Sequence, residues 1–272
     1  MTGTPLPKLV SVRTLSEHDI GIAFQPIVDV LTGKTLAHEA LTRCKHPQFT
    51  SPAALFEQAS AEQSCGRLGR TVRNVLFEKC GNSAIFINLH PQEMSQRWLV
   101  QPTDPLFLHD GPLYLEITET AAFQQFDLCI SVLNELRARS DAKVVVDDFG
   151  VGFSDYRRVE QLQPDLVKLD MSLVRELHNH PEKQQQVRQI IRRCKAVGAQ
   201  IVAEGIETQQ ELVACMDCGA DYGQGYLLGR PAPELKAGYW PEELSAPNAR
   251  RRKRDGVATK PLGRLGTNLE KA

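Results

Sequence analysis

KVVVDD, residues 143 to 148, sets a run of three valines directly before two consecutive carboxylates, Asp147 and Asp148. Successive side chains of a strand point to opposite faces, so adjacent aspartates are unusual in a purely structural strand. At a strand terminus both can turn toward one mouth. Outward from this stretch, apolar runs of strand length recur as GIAFQPIVDV (21 to 30), TLAHEALTR (35 to 43), AIFINLH (84 to 90), LYLEIT (113 to 118), LVKLD (166 to 170), QIVAE (200 to 204) and YGQGYLLG (222 to 229). The first two are joined by Leu31-Thr32-Gly33-Lys34, a short polar loop that suits an antiparallel hairpin. From there the pattern is strand, helix, strand. Helices are predicted at 52 to 80, 122 to 139, 182 to 197 and 207 to 217, each with apolar positions three or four apart. Eight strands alternating with helices predict an α/β fold, a (β/α)8 barrel of typically ~250 residues, with a doubly wound open sheet as the alternative.

Composition agrees with a folded domain. The chain has 272 residues, 42% hydrophobic and 24% charged, which excludes disorder along its whole length and fibrous sequence. Its net charge of −1 hides an asymmetry. Residues 249 to 272 hold eight Lys or Arg against two Asp or Glu, so the body is acidic and the tail basic. No long apolar run and no secretory leader is evident, which predicts a cytoplasmic protein without a membrane span. Seven scattered cysteines fit reduced thiols better than a disulfide scaffold. Cys215 and Cys218 form a lone CxxC without a second half to complete a zinc site, and read as two thiols on a helix end. The segment 91 to 112, with four prolines, predicts one short helix and a surface loop. The expected organisation is a lead-in over 1–18, one barrel domain over 19–240 and a basic tail over 241–272, disordered from 246 onward.

The chemistry lies at the strand ends, which in such a barrel converge on one face. They carry Glu39, Asn88, Glu116, Asp147 with Asp148, Lys168, Glu204 and Gln224. Five carboxylates sharing a pocket with two amides and one ammonium repel one another unless cations neutralise them. All donors are oxygens, with no His or Cys among them, which favours Mg²⁺ or Mn²⁺ over zinc or copper. One of the paired aspartates could bridge two ions, the arrangement that activates water and stabilises the leaving oxygen in phosphodiester cleavage. Lys168 adds positive charge where the transition state gains negative charge. Asp147-Asp148-Phe149-Gly150 matches the kinase DFG only superficially, since no glycine-rich loop or HRD precedes it.

At this point a family resemblance covers residues 20 to 233. His38-Glu39-Ala40-Leu41-Thr42-Arg43 resembles the signature of the EAL domain, a bacterial phosphodiesterase domain acting on cyclic di-GMP. Phe24-Gln25-Pro26-Ile27, Ile87-Asn88-Leu89, Leu115-Glu116-Ile117-Thr118-Glu119, Asp147-Asp148-Phe149-Gly150, Pro164-Asp165 with Lys168-Leu169-Asp170, Ala203-Glu204-Gly205-Ile206-Glu207-Thr208, and Gln224-Gly225-Tyr226 through Gly229-Arg230-Pro231 follow in the family's order. The resemblance implies a modified TIM-like barrel whose first strand is antiparallel. It implies Glu39, Asn88, Glu116 and Asp147 as metal ligands, with Asp147 bridging and Asp148 on the second ion. Lys168 and Glu204 would position or deprotonate the attacking water, Glu39 shares the catalytic shell, and Glu207 supports it. Gln224 would lie near the metals and water, and Gln25, Leu41 and Arg43 would contact the nucleotide. Glu119 would hold the loop after the double aspartate.

The implied reaction opens one phosphodiester of cyclic di-GMP to give linear pGpG, with two Mg²⁺ or Mn²⁺ ions and inhibition by Ca²⁺. A homodimer is the implied assembly. Departures from the family pattern are Thr42 before the arginine and Val151, Phe153 and Asp155 in the loop, which bear on loop dynamics and dimer coupling. The rival from another class is a silent EAL domain acting as a cyclic di-GMP receptor or protein-interaction module. Such domains generally lose part of the acidic shell, which is complete here. Nucleic-acid binding through Arg250 to Arg254 rests on a basic run in an acidic protein and is not expected. No cyclase or sensor domain fits within the chain, so regulation is expected from dimerisation, the tail or another chain.

Overall fold

The structure is a computed structural model of the chain and describes residues 10–95, 99–118, 126–150 and 156–245. Glu119, the loop positions Val151, Phe153 and Asp155, and the expected disordered tail lie outside the described residues. Among the described residues, eight strands close in chain order into one barrel: β1 (Ile20–Asp29), β2 (Thr35–Cys44), β3 (Ile85–Asn88), β4 (Leu113–Thr118), β5 (Lys143–Phe149), β6 (Leu166–Leu169), β7 (Gln200–Ala203) and β8 (Tyr222–Gly223). β1 is antiparallel to both neighbours, β2 and β8, while β2 through β8 are parallel. The open sheet is thereby excluded. The chain through Tyr239 forms one compact unit, and of the unit from Trp240 onward the described part is a short segment with the helix Glu242–Ser245. Among the described residues no helix is long and apolar enough to cross a membrane.

Local chemistry explains the antiparallel start. Asp29 Oδ1 accepts from the backbone N–H of Leu31 (2.9 Å) and Thr32 (2.7 Å), and Gly33 adopts φ 72°, so the chain reverses tightly into β2. The helices on the outside bury one stripe each. In Pro181–Ala196 the buried set is Val187, Ile190, Ile191 and Cys194, spaced for one helical face, and each buried aliphatic side chain contributes roughly 2 kcal/mol. Helix Gln209–Cys218 opens with a capping box between Thr208 and Glu211 and ends at Gly219, left-handed at φ 103°.

Two predicted elements differ from the observed ones. The single helix expected over 52 to 80 is two, Pro52–Ala61 and Cys65–Cys80, because Gln63 takes a left-handed φ of 51° and breaks the hydrogen-bond ladder. The eighth strand, expected over 222 to 229, stops after Gly223. A Cβ on Gly225 would lie 2.2 Å from the Ile206 carbonyl oxygen, so backbone crosses backbone there and the chain turns, with Leu228 and Gly229 N–H both donating to the Gly225 carbonyl at 3.0 Å. β1 recovers the lost pairing further along, where Phe24 and Ala232 exchange backbone hydrogen bonds of 2.7 and 3.0 Å.

A buried ion cluster ties the barrel's flank together. Arg73, in helix Cys65–Cys80, places Nη1 2.7 Å from Glu93 Oε2, while Nε and Nη2 each lie 2.9 Å from one oxygen of Asp104. All three side chains are at most 1% exposed. Glu93 lies against Gly69, where a Cβ would come within 2.1 Å of its carboxylate, so only glycine leaves room for the ion cluster.

Candidate active site

Seven strands supply one apolar layer inside the barrel, Ile27, Ala37, Phe86, Tyr114, Val145, Leu166 and Val202, with Tyr222 of β8 packed against it. Side chains two positions apart share a strand face. Two positions toward the mouth stand Glu39, Asn88, Glu116, Asp147 and Lys168 on β2 to β6, Glu204 and Gln224 just past β7 and β8, and Gln25 on β1, where the count runs backward because the strand does. The chemistry is thus the next layer of the same barrel, polar where the one beneath is greasy.

Direct contacts close this layer. Gln224 Nε2 donates to Gln25 Oε1 (3.1 Å) and to Glu39 Oε2 (2.5 Å), and Asn88 Nδ2 donates to Glu39 Oε1 (3.2 Å) and Glu116 Oε2 (2.9 Å). Gln25 Nε2 in turn donates to the Gly229 carbonyl at 3.0 Å. Lys168 completes the arrangement: its Nζ lies 2.7 Å from Glu116 Oε1, 2.7 Å from Glu204 Oε1, 3.0 Å from Asp147 Oδ1 and 3.5 Å from Glu39 Oε2. Short strands hold these positions. Glu204 and Gln224 lie one residue past their strands yet keep the ladder going, through N–H donation to the carbonyls of Leu169 (3.1 Å) and Ala203 (2.9 Å).

The paired aspartates reach the same mouth by a backbone irregularity. Pairing between β5 and β6 shifts register between Val146 and Phe149, and Asp148 adopts a left-handed φ of 54°. Aspartate tolerates that conformation better than most residues. One ligand oxygen each from Asp147, Asp148 and Glu204 consequently falls within 4.8 Å of the others, a grouping able to hold a cation.

Charge within the layer is unbalanced. Burial alone would lower the Lys168 pKa, but Glu116 and Glu204 hold its ammonium well above the ordinary lysine range. Burial, reinforced by Glu39, pushes Glu116 well above the usual carboxylate value. Glu204 is pushed up to about 8 by burial against the opposing pull of Lys168. Asp148 is raised by burial and by Asp147 beside it. For Glu39, burial is outweighed by Lys168 and by the amides of Gln224 and Asn88, and its pKa falls. One ammonium does not satisfy five carboxylates, and buried oxygens of Glu116 and Asp147 lack an aligned hydrogen bond even with Lys168 beside them. A formal charge of −4 remains, from five carboxylates and one ammonium, which matches two divalent cations. The residues fit hard metal ions in number, charge and donor chemistry.

The remaining predicted residues sit on the rim. Leu41 and Arg43 follow Glu39 on the same face of β2, half-buried and exposed in turn, and Arg43 Nη1 donates to the Thr42 carbonyl at 2.9 Å. Glu207 is exposed and pairs with Arg175 at 3.0 Å, outside the buried layer. A cleft of 260 Å³ opens above the layer and is bounded by Gln25, Glu39, Asp148, Glu204, Glu207 and Gln224. Its walls also include Asp170, Met171 and Tyr226, which sequence reasoning missed. Asp170 lies two positions past Lys168 and was reachable by the same alternation. Tyr226 lies two positions past Gln224 and was reachable in the same way, whereas Met171, 44% exposed, carried no such signal; Arg230 stacks over the Tyr226 ring at 4.2 Å. The CxxC thiols are both buried, with Cys215 pushed up to about 12, chiefly by burial.

Comparison with known proteins follows the same lines. A family model described as the EAL domain matches residues 11–231. The cyclic di-GMP phosphodiesterase PA2567 of Pseudomonas aeruginosa is 30% identical over 230 residues, covering 79% of this chain and 39% of that protein. Klebsiella pneumoniae BlrP1, solved as a manganese and cyclic di-GMP complex, superposes with a TM-score of 0.72 at 29% identity, over 87% of this chain and 60% of the other. The phosphodiesterase PaMucR, solved with cyclic di-GMP, superposes with a TM-score of 0.65 at 27% identity, over 79% and 93%. The chain spans about a third of the length of the curated relatives it matches.

Proposed function

The chain belongs to the EAL domain family, and from that premise and the geometry of its barrel mouth we propose that it hydrolyses cyclic di-GMP to linear pGpG. The observation that carries this reading is the complete polar layer: Glu39, Asn88, Glu116, Asp147, Asp148 and Glu204 around one lysine, with no member replaced by an apolar residue. A receptor that only binds the nucleotide has no need of so many buried carboxylates, each of which costs free energy to desolvate.

Glu39, Asn88, Glu116 and Asp147 would hold one divalent ion, and Asp147 with Asp148 a second, Mg²⁺ or Mn²⁺ by the hardness of the donors. Two such ions supply water activation and stabilisation of the leaving oxygen. BlrP1 has been solved with manganese and with calcium beside cyclic di-GMP, which supports a divalent site of this kind here. The chain's own groups do the rest. Glu204 accepts a proton from the attacking water, and the Lys168 ammonium, 2.7 Å from Glu204 Oε1, orients that water and offsets charge on the scissile phosphate. Arg43 at the rim offers two parallel donors to a phosphate, while Gln25 and Leu41 line the nucleotide's path. The linked amides of Gln224, Gln25 and Asn88 fix the rotamer of Glu39, so that it meets its ligand in a set orientation.

Incubation of the purified chain with cyclic di-GMP and Mg²⁺ or Mn²⁺, followed by separation of products, tests the proposal. Accumulation of pGpG is expected. Tight nucleotide binding without product would turn the assignment to a receptor.

A further inference from the structure

Building on the two-metal reading above, we propose that Lys168 is an internal cation that competes with the divalent ions for the same carboxylate oxygens and so limits how tightly they bind. Every carboxylate within reach of its ammonium is one that the metal ions or the attacking water also need: Glu116 and Glu204 at 2.7 Å, Asp147 at 3.0 Å and Glu39 at 3.5 Å. The ammonium has three N–H groups for these four acceptors, so it cannot satisfy them all at once. Two of the oxygens depend on it most. Glu116 Oε1 and Asp147 Oδ1 are buried, lie 2.7 and 3.0 Å from Nζ, and have no other polar partner among the described residues. Each therefore keeps acceptor capacity that a second cation can use.

Two further features confine this role to Lys168. Its strand is four residues long and fully buried between β5 and β7, so backbone register fixes where the side chain begins, while its flexible four-carbon stem lets Nζ move within the layer. Its side chain is 1% exposed, so solvent screens the repulsion between the ammonium and an incoming dication only weakly. Arg175, the basic residue placed near the cleft by its pairing with cleft-lining Glu207, is half exposed and remains outside the layer.

The consequence has an unexpected sign: removing a residue of the catalytic layer should tighten metal binding. Mn²⁺ affinity of the full chain is measured by calorimetry and by the electron-paramagnetic signal of free Mn²⁺, without substrate. Lys168→Met should bind Mn²⁺ about tenfold more tightly or better than the parent, since a unit charge a few ångströms from a dication is repelled strongly in a buried site. Lys168→Arg, which keeps the charge, should stay near the parent or bind more weakly. A Met variant that melts cooperatively only once Mn²⁺ is added also supports competition, because the ion then replaces the missing cation. If Lys168→Met proves unfolded with and without Mn²⁺, Lys168→Gln takes its place under the same criterion. Equal or weaker Mn²⁺ binding by a folded, uncharged variant overturns the proposal, as does tightening by the Arg variant. Should the parent hydrolyse cyclic di-GMP while the uncharged variant binds no tighter, only the competition fails. Should the parent bind no Mn²⁺ at all, the two-metal reading fails with it.

Discussion

Replacing Arg73 by Ala should be among the most destabilising single changes in the barrel. The substitution removes three charge-assisted hydrogen bonds at 2.7 to 2.9 Å and leaves Glu93 and Asp104, each at most 1% exposed, without their counter-charge. Breaking a buried ion pair by deleting one partner costs ~3–5 kcal/mol, since the orphaned charge stays desolvated. For a domain of this size each kcal/mol shifts Tm by roughly 2–4 °C, so the loss should be read clearly as an earlier midpoint in both thermal and urea unfolding. The same reasoning makes a less obvious claim about a triple variant, Arg73→Met with Glu93→Leu and Asp104→Leu. It removes all three charges together and leaves no orphan, so most of the loss should return. Two caps are still lost, Glu93 Oε1 to the His90 N–H and Asp104 Oδ1 to the Leu106 N–H, both at 3.1 Å, each contributing about 1 kcal/mol. The triple variant should therefore lie about 2 kcal/mol below the parent and above Arg73→Ala. A single variant within about 1 kcal/mol of the parent, or a triple variant weaker than the single, would refute the orphaned-charge account.

Glu39→Ala should abolish hydrolysis, because one anionic donor leaves a shared site and Gln224 and Asn88 lose the acceptor they orient; near-parental turnover at saturating Mg²⁺ would remove Glu39 from the ligand set. Ca²⁺ should bind and support little or no turnover, its looser coordination misplacing the water, and vigorous product formation in Ca²⁺ alone would count against two-metal geometry. Brief alkylation of the native protein at pH 8, read by mass spectrometry, should spare Cys215, whose thiol is pushed up to about 12, and its buried neighbour Cys218; rapid labelling there would revive a redox role for the CxxC pair. Glu211 is buried, which alone would raise its pKa, but backbone N–H groups of Glu176, Glu207 and Thr208 hold it below the ordinary glutamate value. Its contribution to stability is thus full above the unfolded value of about 4.3 and lost as pH falls through the folded one, so the stability gap between parent and Glu211→Gln should narrow on acidification, and a gap constant from pH 7 to pH 3 would contradict it.

Most of the barrel was legible because its strands obey a simple rule. An apolar residue in the core and a polar one two places on recur along β2 to β8, so KVVVDD and LVKLD reveal both the strand and its functional end. The alternation also placed Lys168 among the carboxylates. It failed where backbone meets backbone: nothing in YGQGYLLG announces that Gly225 passes against Ile206, so the eighth strand was predicted too long. It failed again at Gln63, whose left-handed turn divides a stretch with unbroken helical periodicity. The buried partners of Arg73 escaped notice for a different reason. Glu93 and Asp104 lie in the proline-rich segment after β3, where sequence shows polar loop residues and only the packed structure shows that they are dry.

The reversed direction of β1 has a bearing on how this domain can be wired to others. In an all-parallel barrel the first strand starts at the face away from the chemistry, so a module joined upstream is carried to the blind end. Here Ile20 pairs with Cys44, at the mouth end of β2, and the turn Val12–Thr14 precedes it. Ahead of it, Val10 and Ser11 are held by Gln48, Gln58 and Glu62, on the segment and helix that follow β2. The chain therefore enters the barrel from the mouth side, past the helix after β2, and a displacement of that lead-in is passed first to β2 and its Glu39 and not to the blind end.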